Sequence, residues 1–108
     1  MDGGGLASDA NGNVTTVWRR QMEVYLAQPK KPETKLGGGR TPVILQTSKG
    51  AAIAWQQDGV IQFLSPDAQK SVSLGNGQYP KLALMADQKT TLCVFERDGQ
   101  IMVKPVVL

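Results

Sequence analysis

The chain contains no histidine and only a single cysteine, and each shortage excludes a class of site. None of its 108 residues is histidine, and Cys93 is the lone cysteine. Without histidine, the Ser-His-Asp and Cys-His catalytic arrangements and every His-ligated metal site are excluded. One cysteine permits neither an internal disulfide nor a thiolate zinc cluster. We therefore expect no metal and no cofactor, and no catalytic residue is assigned.

Long hydrophobic runs and blocks of like charge are also missing. No apolar run approaches the roughly 20 residues that a transmembrane helix requires. Twelve Lys and Arg residues against nine Asp and Glu residues leave a net charge of only +3, spread along the chain. Neither a nucleic acid nor a membrane is therefore expected as a partner. The length favours one domain, residues 1–108.

An internal repeat organises the sequence. Segment 36–42, LGGGRTP, recurs at 74–80 as LGNGQYP, and segment 55–61, WQQDGVI, recurs at 95–101 as FERDGQI. A weaker version surrounds Trp18, so that Trp18, Trp55 and Phe95 are equivalent, with spacings of 37 and 40 residues. Units of about forty residues are typical of β-propeller blades. We place the repeats at residues 4–41, 42–79 and 80–108.

Each repeat is predicted to form four antiparallel strands. In the middle repeat, apolar stretches at 43–45, 51–55 and 60–64 are followed by an alternating, edge-like strand at 70–74. Asp58-Gly59 and Asp98-Gly99 are strong hairpin signals, because a type I′ turn demands positive φ at both positions. No window shows the apolar spacing of a helix. The core residues are predicted to be Ile44, Ile53, Trp55, Phe63, Leu84, Leu92, Val94 and Phe95.

The predicted fold is all-β, with about three four-stranded propeller blades, of which the last lacks its outer strand. Closed propellers use about 4–8 blades, so three blades do not close a ring. The chain is therefore expected to be the C-terminal part of a larger propeller, or to complete its ring with copies of itself or with a complementary propeller chain. Apolar blade faces that are exposed to solvent are normally covered by a partner.

Segment 6–18, LASDANGNVTTVW, and its two successors resemble the blades of sialidase-like β-propellers. Arg40-Thr41-Pro42 is similar to the Arg-Ile-Pro that carries one of the substrate-gripping arginines of sialidases. The family's Asp box, Ser-x-Asp-x-Gly-x-x-Trp, is absent, and Gly39 stands where an aromatic residue usually precedes that arginine. The resemblance implies the propeller fold but not the sialidase activity.

Six residues form the predicted ligand-binding set, because the loops and turns that carry them are expected on one face of a propeller. Arginines bind carboxylates through two parallel hydrogen bonds, so an anionic carbohydrate or a peptide carboxylate is the expected ligand. Solvated turn residues are the simpler alternative. Asp58 and Asp98 could also form an acid/base pair of carboxylates, and for them, too, the simpler alternative is that they are solvated turn residues. The set comprises Arg40, Tyr79, Arg19, Arg97, Asp58 and Asp98.

Two further hypotheses concern the aromatic residues and the thiol. The repeated aromatic position is either a sugar-stacking platform or, as the repetition favours, a packing contact between blades. Cys93, between two apolar residues, is predicted to be a buried, inert thiol. The favoured function is a non-catalytic blade module for ligand binding or assembly, and the alternative is part of a sialidase-like glycan-processing enzyme. The repeat type and the lack of disulfides fit a bacterial protein of the periplasm or the cell exterior.

Overall fold

The computed structural model describes residues 4–87 and 89–108. Residues 1–3 and 88 of the predicted domain lie outside the described residues. Eleven strands are present, and their bounds are β1 Gly4–Ser8, β2 Val14–Arg20, β3 Glu23–Ala27, β4 Thr34–Gly38, β5 Arg40–Thr47, β6 Gly50–Gln57, β7 Val60–Leu64, β8 Val72–Asn76, β9 Gln78–Leu84, β10 Thr91–Arg97 and β11 Gln100–Val106.

The strands form three antiparallel sheets, so the prediction of an all-β protein is confirmed. The first sheet has the order β1-β2-β3-β4, the middle sheet β5-β6-β7-β8 and the last sheet β9-β10-β11. Within each sheet, consecutive strands pair with each other, as expected for consecutive hairpins. The last sheet contains three strands within the described residues, which agrees with the predicted missing outer strand.

The middle and last sheets begin earlier than the predicted repeats. The middle sheet starts at Arg40 rather than at residue 42, because Arg40 already pairs with Gln56. The last sheet starts at Gln78 rather than at residue 80, because Gln78 pairs with Glu96. Both pairings precede an irregularity in the register that the sequence pattern does not reveal.

The sheets are stacked in chain order, and two apolar clusters lie between them. We define the front face of each sheet as the face that carries Trp18, Trp55 or Phe95, and the back face as the opposite one. The front face of the middle sheet packs on the back face of the first sheet, through Trp55 and Ile53 against Val17 and Val24. The members of the second cluster, between the middle and last sheets, are Ala52, Ala54, Ile61, Phe63, Cys93 and Phe95.

Four of the eight predicted core residues are buried, and the other four are only half-buried. Ile53, Trp55, Phe63 and Phe95 are at most 3% exposed. The half-buried residues are Ile44, Leu84, Leu92 and Val94. The structure thus corrects the prediction for these four.

The reason is clearest in the last sheet. Leu92 and Val94 alternate along β10 with the buried Cys93 and Phe95, so they lie on the back face of the last sheet. No further sheet covers this face within the described residues. Leu92 and Val94 are apolar, as a core position requires, but no further sheet of the described residues packs on them.

Candidate functional site

One edge of the sheet stack, which we call the turn edge, gathers most of the predicted binding residues. It consists of the β2–β3, β6–β7 and β10–β11 turns, residues 21–22, 58–59 and 98–99, and of the linkers at Gly39 and Gly77. Each linker is tied to the turn of the preceding sheet: the Gly39 N–H donates to Met22 O at 2.8 Å, and the Gly77 N–H donates to Gly59 O at 3.0 Å.

The Asp-Gly turns have the conformation that the sequence predicted. Asp58 and Gly59 have φ values of 53° and 77°, and Asp98 and Gly99 have φ values of 51° and 78°. Positive φ at both central residues is the mark of a type I′ turn, and aspartate tolerates this conformation better than most residues. In the first sheet Gln21 takes the place of aspartate with φ 56°, but Met22, at the position of Gly59 and Gly99, does not have positive φ. The first turn therefore has the same length as the other two but not their type I′ conformation.

The linker glycines are required by a close approach of the next sheet. A Cβ on Gly39 would lie 2.8 Å from Trp55 Cδ1, and it would collide with the carbonyl oxygen of Gln56. A Cβ on Gly77 would collide with the ring of Phe95. Each buried aromatic side chain therefore rests on the linker that precedes its own sheet. This packing accounts for the glycine at the linker position.

Thr41 and Tyr79 follow these linkers in a conformation that non-glycine residues rarely adopt. Their φ values are 52° and 54°, and the prolines after them, Pro42 and Pro80, are buried. Such a conformation costs about 1–3 kcal/mol and persists only where the surroundings impose it. Tyr79 is exposed, and its N–H donates to Gln56 Oε1 at 3.4 Å. The backbone that presents Tyr79 is thus held from both sides.

The larger cleft of the turn edge, about 340 Å³, lies between the middle and last sheets. It is lined by Asp58, Gly59, Asn76, Gly77, Gln78, Glu96, Arg97 and Asp98. Arg97 is fixed in position, because its Nε donates to Asn76 O at 2.8 Å and its guanidinium lies 5.6 Å from the centre of the Phe95 ring. The lining of this cleft therefore includes three acidic residues and one arginine.

A smaller cleft, about 170 Å³, lies at the equivalent place between the first and middle sheets. It is lined by Met22, Gly38, Gly39, Arg40, Gln56, Gln57, Asp58 and Gly59. Asp58 lines both clefts and so connects them. The charges of this cleft are one guanidinium, that of the exposed Arg40, and one carboxylate.

The two clefts bring four of the six predicted site residues together and leave two beside them. Arg40 and Asp58 line the smaller cleft, whereas Asp58, Arg97 and Asp98 line the larger one. Arg19 Nη1 lies 3.8 Å from Sδ of Met22, which lines the smaller cleft, and Tyr79 is joined to Gln56 as described above. Arg40 and Arg97 line different clefts, so these two arginines do not face one common cleft in this chain.

Sequence reasoning missed the amide side chains and one carboxylate of this edge. They are Gln56, Gln57, Asn76, Gln78 and Glu96. The sequence did contain a signal for them. These residues stand next to the repeated turns and linkers, and residues next to a repeated turn lie at the same edge of each sheet.

Two hypotheses about buried groups are resolved. Trp55 and Phe95 lie between sheets, so the packing interpretation of the repeated aromatic position is confirmed for both. Cys93 is buried, and burial raises the pKa of its thiol from 9.0 to about 11. The thiolate that would react or bind a metal is therefore disfavoured. Across the part of the chain that the structure describes, no group of three or more Cys, Asp or Glu side chains is placed to hold a metal ion.

Trp18 stands apart from the other two aromatic residues because it lies on the uncovered front face of the first sheet. Its ring stacks on that of Tyr25 at a centroid distance of 6.1 Å. The guanidinium of Arg20 lies 4.7 Å from the centre of the Tyr25 ring and donates to both carboxylate oxygens of Glu33, at 2.8 and 2.9 Å. This face therefore combines an aromatic pair with a charge that is already neutralised.

The edge opposite the turns holds a cleft of about 700 Å³ between the first and middle sheets. Hydrogen bonds already use several of the polar side chains at its rim, those of Asp9, Asn13, Thr15, Gln28 and Gln46. Asp9, for example, accepts hydrogen bonds from the side-chain amide of Asn13 and from the backbone N–H groups of Asn13 and Asn11, which lowers the pKa of its carboxyl group. These contacts serve the β1–β2 turn.

Comparisons with known proteins do not assign this chain to a family. No protein-family model, no curated protein and no solved structure matches the chain. The described residues form no helix that is long and apolar enough to cross a membrane. The resemblance to sialidase-like propellers therefore stays a prediction.

Proposed function

We propose that the chain is a non-catalytic β-propeller module that completes a ring of sheets by packing its two outermost sheet faces on further sheets. The observation that carries this proposal is the apolar surface of both faces. Leu6 on the front face of the first sheet is 70% exposed, and Ile101 on the back face of the last sheet is 71% exposed. Large apolar patches on a folded protein mark interaction sites.

The arrangement of the sheets supports the interpretation of each sheet as a propeller blade. Contacts between neighbouring sheets are richest where β5 approaches β1 and β2, and where β9 approaches β5 and β6. They become sparse towards the third strands. The sheets therefore approach each other at their first strands and diverge outwards, as blades around a common axis do.

The surface area of the chain supports the same proposal. Its accessible surface is 6611 Å² for a mass of 11.6 kDa. A folded monomer of this mass is expected to expose about 5,800 Å². The excess of about 800 Å² equals what one partner buries in a protein–protein interface of standard size. The chain thus exposes the area that an association would cover.

The assembly is tested by measuring molar mass and apolar exposure on the purified chain. We expect either association, measured by light scattering at about 1–100 µM, or a monomer that binds the dye ANS strongly at its open faces. A monomer that neither binds ANS nor associates would show that no apolar face awaits a partner. That result would overturn the proposal.

Ligand binding is the second part of the proposed function, and we place it at the turn edge. Arg40 is the exposed cation of the smaller cleft, so an anionic sugar or a peptide carboxylate would bind there, beside Tyr79. Titration with N-acetylneuraminic acid and with acetate, followed by amide chemical shifts, tests this assignment. Shifts centred on Arg40 that disappear in Arg40→Ala are expected. Lys49→Ala, which changes a cation at the opposite edge, is the matched control.

The alternative function, part of a sialidase-like glycan-processing enzyme, is favoured by one observation. Asp58, Glu96 and Asp98 line the larger cleft together, and glycosidases use paired carboxylates. The discriminating measurement is hydrolysis of aryl sialosides and other aryl glycosides by the assembled protein. The proposed module is expected to give no turnover, and turnover abolished by Asp98→Asn would favour the enzyme.

A further inference from the structure

The two uncovered faces carry the same residues that already pack sheets together inside the chain. On the front faces, Trp18 of the first sheet is equivalent to Trp55 and Phe95, which are both 1% exposed. Leu6, which pairs with Thr16 two residues before Trp18, corresponds to Ile44, which pairs with Ile53 two residues before Trp55. Ile44 packs in the cluster between the first and middle sheets.

The back faces show the same equivalence. Val24 and Ile61 are the second residues after the turns of the first and middle sheets, and both are fully buried by the next sheet. Ile101 lies at the same place in the last sheet and is uncovered. Val94, which pairs with Val103 on this face, corresponds in the same way to the buried Val17. The chain therefore exposes one front face at its beginning and one back face at its end.

Charge does not oppose the contact of these two faces. Among the described residues, the two cations in the strands of the front face of the first sheet have carboxylate partners: Arg20 is bound to Glu33, and Lys35 is paired with Glu23. The back face of the last sheet combines Val94, Ile101 and Val103, of which the latter two are more than half exposed. It also carries one cation, Lys81, which pairs with Val94, and one carboxylate, Glu96, which pairs with Ile101. Among these residues, each of the two faces therefore carries cations and carboxylates in equal number, and neither presents an excess of one sign to the other.

We propose that a second copy of this chain covers both faces, head to tail, so that the front face of each copy packs on the back face of the other. The proposal rests on the proposed function and names its partner. Each contact would continue the two internal contacts, with Trp18 of one copy against Val94 and Ile101 of the other. Three sheets from each of two copies give six, which lies within the range of closed propellers. Because the contact joins two different faces, closure after two copies is what prevents an open filament.

The test uses two single variants of the full chain, Trp18→Asp on the front face and Ile101→Lys on the back face. Both side chains are at surfaces uncovered in the single chain, so folding should survive and is checked by circular dichroism. The wild type is expected as a dimer of about 23 kDa, twice 11.6 kDa. Each variant is expected to raise the dissociation constant at least about 100-fold, because each change damages both contacts of the homodimer. Met85→Lys, an exposed apolar residue in the β9–β10 connection, is the matched control and should leave the dimer unchanged.

Mixing the two variants separates the head-to-tail contact from other modes of association. An equimolar mixture is expected to recover the dimer, because one contact is then wild type on both sides and the other places aspartate against lysine. If Ile101→Lys alone stayed dimeric, the contact would be front to front, and the proposal would be wrong. A concentration-dependent ladder of larger oligomers would equally exclude the closed pair.

The outcomes also distinguish this proposal from the function on which it rests. A wild-type monomer that binds ANS at its open faces would exclude the second copy but retain a module that needs a complementary chain. A monomer without ANS binding would overturn both.

Discussion

The middle sheet and the two outer sheets are built from one repeat but differ in what covers them. Trp55 is 1% exposed between two sheets, whereas Trp18, at the same position of the first sheet, is half-buried beside Tyr25. Ile61 is fully buried, whereas its equivalent Ile101 is 71% exposed. The side chain is thus set by the repeat, but its contribution to stability depends on whether a neighbouring sheet is present.

The largest expected effect compares the two tryptophans. Trp55→Ala should lower the free energy of unfolding by about 3–5 kcal/mol, because it empties a covered core position. Trp18→Ala should cost about 1 kcal/mol or less for the dissociated chain, because its ring already contacts solvent. Urea unfolding at low protein concentration measures both. Equal losses for the two variants would contradict the distinction between covered and uncovered positions.

The next effect compares a linker between sheets with a turn at the free end of a sheet. Gly39→Ala should cost about 2–3 kcal/mol, because the new Cβ collides with the Gln56 carbonyl oxygen and displaces Trp55. Gly12→Ala should cost about 1 kcal/mol, since Gly12 has φ 81° but open space around it. Thermal unfolding of the two variants side by side is the measurement. A smaller loss for Gly39→Ala would show that the sheets can separate there.

A third comparison contrasts the covered and uncovered faces of β10 through thiol chemistry. The pKa of the Cys93 thiol is raised to about 11 by burial, so the unfolded chain ionises first as the pH rises. The stability that Cys93 contributes is therefore complete below about pH 9 and is lost between pH 9 and pH 11. The wild type should lose stability over this window relative to Cys93→Ala, in urea unfolding at each pH.

The same strand allows a direct control for accessibility. In a Cys93→Ala background, Val94→Cys places a thiol on the uncovered face of the last sheet. This thiol should react quickly with DTNB in the dilute chain, whereas the native Cys93 should react only on unfolding. Equal rates would indicate that the two faces of β10 are covered alike.

The smallest effect concerns the surface turns of the two outer sheets. Hydrogen bonds from the turn backbone and from neighbouring side chains lower the pKa values of Asp9 and Asp87 from 3.8. A lowered pKa means stability that is present above about pH 4 and is lost as the pH falls further. Asp9→Asn and Asp87→Asn should each flatten this acid-side decline slightly. Asp67→Asn, in the β7–β8 connection, is the control.

The sequence predicted best those features that depend on short-range chemistry. Asp58-Gly59 and Asp98-Gly99 form the expected turns because positive φ is a property of the residues themselves. The burial of Leu92 and Val94 could not be predicted in the same way, because their apolar character shows a need for cover but not its presence. The clefts were anticipated only in part, since Gln56 and Glu96 reach them through sheet register rather than through any recognisable pattern.

The fixed geometry of the turn edge has a consequence for how such a repeat can change in length during evolution. Every connection at this edge has the same size in each sheet: the turns are 21–22, 58–59 and 98–99, and the linkers are residues 39 and 77. Connections at the opposite edge differ, as 9–13, 48–49 and 85–90 show. Insertions are therefore tolerated at one edge and excluded at the other, where a single added residue would lift an aromatic ring off its glycine. The uneven spacing of 37 and 40 residues between the aromatic positions records length changes confined to the permissive edge.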